Sequence, residues 1–231
     1  MVFSTTLPSD GSRVRYRPFI GSEEKALLAA AEAGDTTSIV DATIDLIESC
    51  VIESDREIKV RSMPFFDVEH LLLKIRAKSI GEKQTVNYRH TAGVNKKGES
   101  CSAVASVEID LDSVEPVQDE KHNRVIEIGD GITVKMRYPT IADATAENFS
   151  PERSVEIIAR CIEGVFRGEE LFSPDTEKDT VEWILSMSKQ QREPILEFFK
   201  TMPRPAKTFI YTCPGCGQID EVTISGLHSF F

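Results

Sequence analysis

Phe66-Asp-Val-Glu-His-Leu-Leu-Leu-Lys-Ile-Arg-Ala-Lys-Ser-Ile-Gly-Glu82 reads as a single helix, and the change of period directly after it decides the class of the fold. Asp67 is placed to cap the helix; Val68, Leu71, Leu72 and Ile75 recur at helical spacing, and Gly81 supplies a stop. Arg76 and Lys78 fall in the last turn, where free carbonyls favour positive charge. His70 lies beside the apolar face and reads as a partly buried structural histidine. Immediately downstream the period drops to two. Val86 and Tyr88, then Val104, Val107, Ile109 and Leu111, then Val125, Ile126 and Ile128, then Ile132, Val134 and Met136 predict strands. The expected class is α+β: N-terminal helices, a central antiparallel sheet of about four strands, further helices and a C-terminal hairpin bearing a CxxC knuckle.

Upstream, Thr5-Leu-Pro-Ser-Asp-Gly-Ser-Arg-Val-Arg-Tyr-Arg-Pro-Phe19 predicts a small hairpin turning at Ser9-Asp10-Gly11. Val14 and Tyr16 alternate with Arg13, Arg15 and Arg17, a basic face that could clamp carboxylates or phosphates but reads more simply as a solvated one. Ser22 is the expected cap of a helix through Leu27, Leu28 and Ala31 that ends near Gly34. A second helix carries Val40, Ile44, Ile47 and Val51.

Downstream, Gly93 to Gly98 reads as a hairpin tip and Gly129-Asp-Gly131 as a tight turn. Glu108, Asp110 and Asp112 share a predicted strand face; nothing nearby completes a cation site, so a solvated face is favoured. Ser150-Pro151-Glu152 opens a helix through Val155, Ile158, Ile162 and Val165 to Gly168. Val181, Trp183, Ile184 and Leu185 make a short helix, and Ser188-Lys-Gln-Gln191 is a capping box before another. Pro203-Arg-Pro205 leads into the terminal hairpin. The expected divisions are 1–82, 83–140, 141–205 and 206–231, in one or two compact units.

The 231 residues are 40% hydrophobic, enough for a core, and the formal net charge is -11. That charge disfavours nonspecific binding to a nucleic-acid backbone or an anionic membrane. Acidity is concentrated between Glu99 and Glu182, whereas Glu57 to Arg89 is net positive. Five unevenly spaced cysteines are no disulfide framework; Cys50 and Cys161 read as buried free thiols. With no apolar run long enough to span a bilayer and no signal peptide, a reducing cytosol is the expected setting.

No phosphate loop and no nucleophile elbow is present, and the four histidines are scattered, so nothing points to an enzyme. The chemistry-bearing motif is Tyr211-Thr-Cys-Pro-Gly-Cys-Gly217. A redox CxxC normally begins a helix, but a β-like run comes next here. Two thiolates are half of a tetrahedral zinc site. Cys101 and His90, which flank the hairpin tip of the middle sheet, are the best candidates for the other half, with His228 a third. The favoured alternative is a bare hairpin turn that presents Leu227, Phe230 and Phe231, with no metal.

Leu7-Pro-Ser, Tyr16-Arg-Pro-Phe, Ser22-Glu-Glu-Lys, the Phe66 to Glu82 string, Val107-Glu-Ile-Asp-Leu111, Met136-Arg-Tyr-Pro-Thr140, Phe198-Phe-Lys-Thr-Met-Pro203, the knuckle and Gly226-Leu-His-Ser-Phe-Phe231 occur together and in order. In these the chain resembles the baseplate hub assembly proteins of T-even and related contractile-tailed phages, over nearly its whole length. The resemblance implies a non-enzymatic late phage protein that helps build the central hub of the tail baseplate. It would bind hub proteins of the same phage, not nucleic acid or membrane, in the host cytoplasm and in the virion baseplate. Leu227, Phe230 and Phe231 would be its aromatic and apolar anchors, and Arg13, Arg15 and Arg17 a second contact. The resemblance also implies a cysteine pair at the start of the middle sheet, as in many members of that family; here Tyr88-Arg-His90 and then Cys101 stand there, a departure that would let the scaffold persist without metal. The rival reading is a zinc-ribbon nucleic-acid-binding or transcription-adaptor module, against which the net charge of -11 speaks.

Overall fold

The computed structural model describes residues 1–91, 93, 98, 100–145, 154–172 and 174–225. Strands β1 (Phe3–Thr6) and β2 (Arg13–Tyr16) form the expected antiparallel hairpin, with Val14 and Tyr16 buried and Arg13 and Arg15 exposed. Helix α1 (Gly21–Ala33) begins one residue before the expected cap, so Ser22 lies inside it. The cap position is Ile20, whose N–H is accepted at 2.8 Å by the Glu23 carboxylate, reaching back from the first turn. Gly34 ends the helix with φ 70°, a left-handed conformation that glycine adopts at no steric cost. Asp35 caps α2 (Thr36–Cys50) through the N–H groups of Thr37 and Ser38. Val51 leaves the helix and opens β3 (Val51–Ser54), which pairs with β2.

Helix α3 (Phe65–Ile80) is the predicted one, but Asp67 does not cap it. The Asp67 carboxylate is fully buried in the first turn and accepts from both the N–H and the hydroxyl of Ser9. Leu71, Leu73 and Ile75 are fully buried, so the helix is covered on more than the one face that its spacing suggested. His70 is structural as expected but more fully buried than its place beside the apolar face suggested, with Nε2 2.8 Å from Thr5 Oγ1; burial lowers its pKa to about 4 and keeps the ring neutral.

Strands β4 (Lys83–Arg89) and β5 (Val104–Asp110) pair antiparallel, a short β6 (Glu115–Val117) comes next, and β7 (Val125–Gly129) and β8 (Ile132–Met136) form another hairpin. The four predicted strands therefore exist, but β4 and β5 form one ladder and β7 and β8 belong to another. Helix α4 (Ile141–Thr145) is a single short turn. Helix α5 (Ser154–Arg160) stops well before Gly168: Ile162 and Val165, expected on its apolar face, lie in β9 (Ile162–Arg167). Pairing of β9 with β8, Val134 opposite Val165, outweighs the helical spacing of those residues. The predicted start of that helix, 150–152, lies outside the described residues. After β10 (Glu170–Leu171) come α6 (Glu177–Ser186) and α7 (Lys189–Thr201). Ser188 and Gln191 make the predicted capping box. The terminal hairpin is β11 (Arg204–Thr212) and β12 (Ile219–Ser225).

The chain divides into two compact units, each drawn from separated stretches. One comprises Met1–Glu57, Phe66–Val117 and Arg204–Phe231. It holds three sheets, ordered β1-β2-β3, β4-β5 and β12-β11-β6. Leu73 and Ala77 of α3 pack with Ile109, Leu111 and Val114 in its core, beside Val86 and Phe209. The other comprises Ile58–Phe65 and Gln118–Pro203. Its sheet, ordered β10-β9-β8-β7, is packed by α5, α6 and α7 through Ile126, Val134, Met136, Ile158, Ile184 and Phe198. There the Asp143 carboxylate is held by both guanidinium nitrogens of Arg137, at 2.7 and 2.8 Å, and by the N–H and hydroxyl of Thr140.

Candidate metal centre

Two hairpin ends meet in the first unit. Strand β4 ends at Arg89, and His90 comes next with its N–H bonded to the Ala103 carbonyl at 2.9 Å. Cys101 enters from the other side of that tip, its N–H bonded to the Gly93 carbonyl. In the terminal hairpin, Cys213 to Gln218 form the turn: the Cys213 N–H reaches the Gln218 carbonyl at 2.8 Å, and the Gly217 N–H the Cys213 carbonyl at 2.9 Å. Gly217 has φ 77°, a conformation that favours glycine. Tyr88, Ala103, Ala105 and Val107 of the first hairpin pack against Tyr211 and Val222 of the second.

This packing brings His90, Cys101, Cys213 and Cys216 together, with one ligand atom of each all within 4.8 Å of one another. Cys101 Sγ lies 3.5 Å from Cys213 Sγ, and Cys216 Sγ 3.6 Å from His90 Nδ1. His90, Cys101 and Cys213 are buried; Cys216 is half-buried. All three cysteines are free thiols. Burial pushes the Cys213 thiol up, but the backbone N–H groups of Cys216 and Gly215 and the neighbouring thiols of Cys101 and Cys216 outweigh it and bring it down to about 6. That favours a thiolate, the form in which sulfur binds metal. Cys101 accepts a backbone hydrogen bond at Ala103 that lowers its pKa, yet burial and the adjacent Cys213 and Cys216 leave it raised. The four residues can hold a metal ion.

The sequence named all four, while favouring the bare turn. The CPGCG stretch is the turn of the terminal hairpin, as the bare-turn reading had it, and the same turn brings both sulfurs to His90 and Cys101, which that reading did not include. One neighbour had no sequence signal. Asp220 Oδ2 lies 3.2 Å from His90 Nε2. Only the β11–β12 register, which sets Asp220 opposite the buried Tyr211, directs that carboxylate inward.

The remaining candidates are placed differently. Arg15 is paired with Glu53, and Arg17 grips Glu23 with two nitrogens at 2.7 and 2.9 Å, which leaves the Arg13 side chain as the exposed remainder of the ridge. Leu227, His228, Phe230 and Phe231 lie outside the described residues. The acidic trio is taken up locally: Glu108 pairs with Lys83 at 2.7 Å, Asp112 with Lys78 at 2.9 Å, and Asp110 accepts the Asp112 N–H. Among the described residues no helix is long and apolar enough to cross a membrane.

The family model described as T4 bacteriophage base plate protein matches residues 1–231. The chain belongs to that family. No curated protein and no solved structure matches it. This base plate family member is a mixed α+β protein with several antiparallel sheets, and its Cys-rich cluster joins the middle of the chain to the terminal hairpin.

Proposed function

We propose that this chain is a non-enzymatic protein of the phage tail that acts in assembly of the central baseplate hub, by binding hub subunits of the same phage. The observation that carries this is the family match over residues 1–231. A chain with this role works in the host cytoplasm during assembly and takes a place in the virion baseplate. Its contacts come from anchors carried on a folded frame, with Phe230, Phe231 and Leu227 as the apolar ones and Arg13, beside Arg15 and Arg17, as the basic one. The four-residue cluster belongs to the frame, with zinc as the ion that three thiolates and an imidazole suit. A zinc-ribbon nucleic-acid module would share the cluster, but a net charge of -11 works against it.

The test is co-purification with hub proteins from infected cells, comparing the whole chain with one lacking Phe230 and Phe231. Recovery of hub subunits by the whole chain, lost on truncation while the shortened protein stays folded, is the expected result. A truncated chain that still supports hub assembly removes the tail from the interface. Strong, salt-sensitive retention of DNA or RNA at low salt would replace the reading with the nucleic-acid one.

A further inference from the structure

We infer that the cluster is a closed structural zinc centre in which His90 coordinates through Nδ1 while Asp220 positions the imidazole at Nε2, so that the ion ties the two hairpins together. This rests on the zinc reading of the cluster and adds the ligand atoms and the positioning residue. In a tetrahedral site with Zn–S near 2.3 Å and Zn–N near 2.05 Å, neighbouring sulfurs stand about 3.8 Å apart and sulfur and nitrogen about 3.6 Å. The two contacts seen across the hairpins, 3.5 Å between Cys101 Sγ and Cys213 Sγ and 3.6 Å between Cys216 Sγ and His90 Nδ1, match those edges. Three sulfurs and one imidazole select a borderline-soft ion over magnesium or calcium. Four protein donors, backed by Ala103, Ala105, Tyr211 and Val222, leave no position open to a substrate.

His90 supplies the second observation. Its ring is fully buried, yet Nε2 makes no hydrogen bond of good geometry. The atom facing it is Asp220 Oδ2 at 3.2 Å. A carboxylate at the far nitrogen of a ligand histidine holds the proton there and leaves the near nitrogen's lone pair for the ion. Both hairpins thus contribute twice: His90 and Cys101 from one, Cys213 and Cys216 from the other, with Asp220 of the terminal hairpin facing the histidine of its partner.

Two arms separate the parts of the inference. Metal content of the purified full chain, grown with zinc, is expected to be one zinc per chain; a metal-free chain with reactive thiols, a Cys101–Cys213 disulfide, or iron in place of zinc overturns the zinc centre itself. On the zinc-loaded wild type, long-range 1H–15N correlation of the histidine ring is expected to show metal at Nδ1 and a proton at Nε2; metal at Nε2 overturns the role of Asp220 while zinc stands. In chelator competition, Asp220→Ala is expected to weaken zinc about 10- to 100-fold, and Asp220→Asn, whose amide oxygen still accepts from Nε2–H, to recover most of the loss. Affinity unchanged in Asp220→Ala, or an Asp220→Asn chain as weak as the alanine variant, counts against the positioning role.

Discussion

Gly215 and Ala103 touch so closely that a side chain at 215 has no room: its Cβ would stand 2.6 Å from the Ala103 Cβ and 3.2 Å from Cys101 Sγ. Neither neighbour can swing aside, since one is a β-carbon and the other a buried sulfur. Gly215→Ala is therefore expected to destabilise the chain by about 1–3 kcal/mol, the usual cost of overpacking. Ala103→Gly in the same chain should return much of that, a coupling that chemical denaturation of the two single variants and the double variant will read directly. Full additivity would mean that the two hairpin ends do not meet as described.

Asp143 gives the chain an acid-sensitive hold. Burial alone would raise its carboxyl, but the Arg137 fork and the N–H and hydroxyl of Thr140 lower it from 3.8 to about 2. A group depressed in the folded state adds stability above its unfolded value and loses it as pH falls. The contribution, on the order of 2 kcal/mol, should be present above pH 4 and fade between about pH 4 and 2. Asp143→Asn should be less stable at neutral pH and show a flatter stability profile across that window. Parallel profiles for the two proteins would sink the assignment.

The three arginines of the basic ridge should part company on mutation. Arg15 and Glu53 are both at least half exposed at the side chain, so Arg15→Ala is expected to change stability by less than about 0.5 kcal/mol. Arg13→Ala should do as little. Loss of hub binding in either would then report a lost contact. Arg17→Ala differs, because Glu23 also binds Ser49 Oγ and the Ile20 N–H and thereby organises the start of α1. Its expected cost is about 1–3 kcal/mol, visible as a lower unfolding midpoint.

Ser188→Ala should cost about 1 kcal/mol by removing the acceptor of the Gln191 N–H. Ser188→Gly should cost only a few tenths of that scale. Thermal unfolding resolves the two.

How far the sequence reaches is visible in these residues. Capping chemistry is local, and Ser188 with Gln191 was legible; so were the β1–β2 alternation, α3 and both hairpins that bear the cluster. Ile162 and Val165 were misread because their spacing from Val155 and Ile158 fits a helix, while the partner that makes them a strand, β8, is contributed by Ile132–Met136. The burial of Asp67 depends on Ser9, far from it in sequence. In the centre itself, His90 and Cys101 could be named because each flanks a hairpin tip. Asp220 could not, since its direction comes from strand register and its purpose from a histidine on another hairpin.

One consequence concerns synthesis. Cys101 and Cys213 are 112 positions apart, and His90 and Cys216 are 126 apart. A ribosome that has released the first pair must add a further hundred residues, the Gln118–Pro203 stretch of the second unit included, before the other pair emerges. No product stopped short of Cys213 can close the ring of ligands, whatever else of it has folded. The centre therefore distinguishes a polypeptide extended through Cys216 from one interrupted before it.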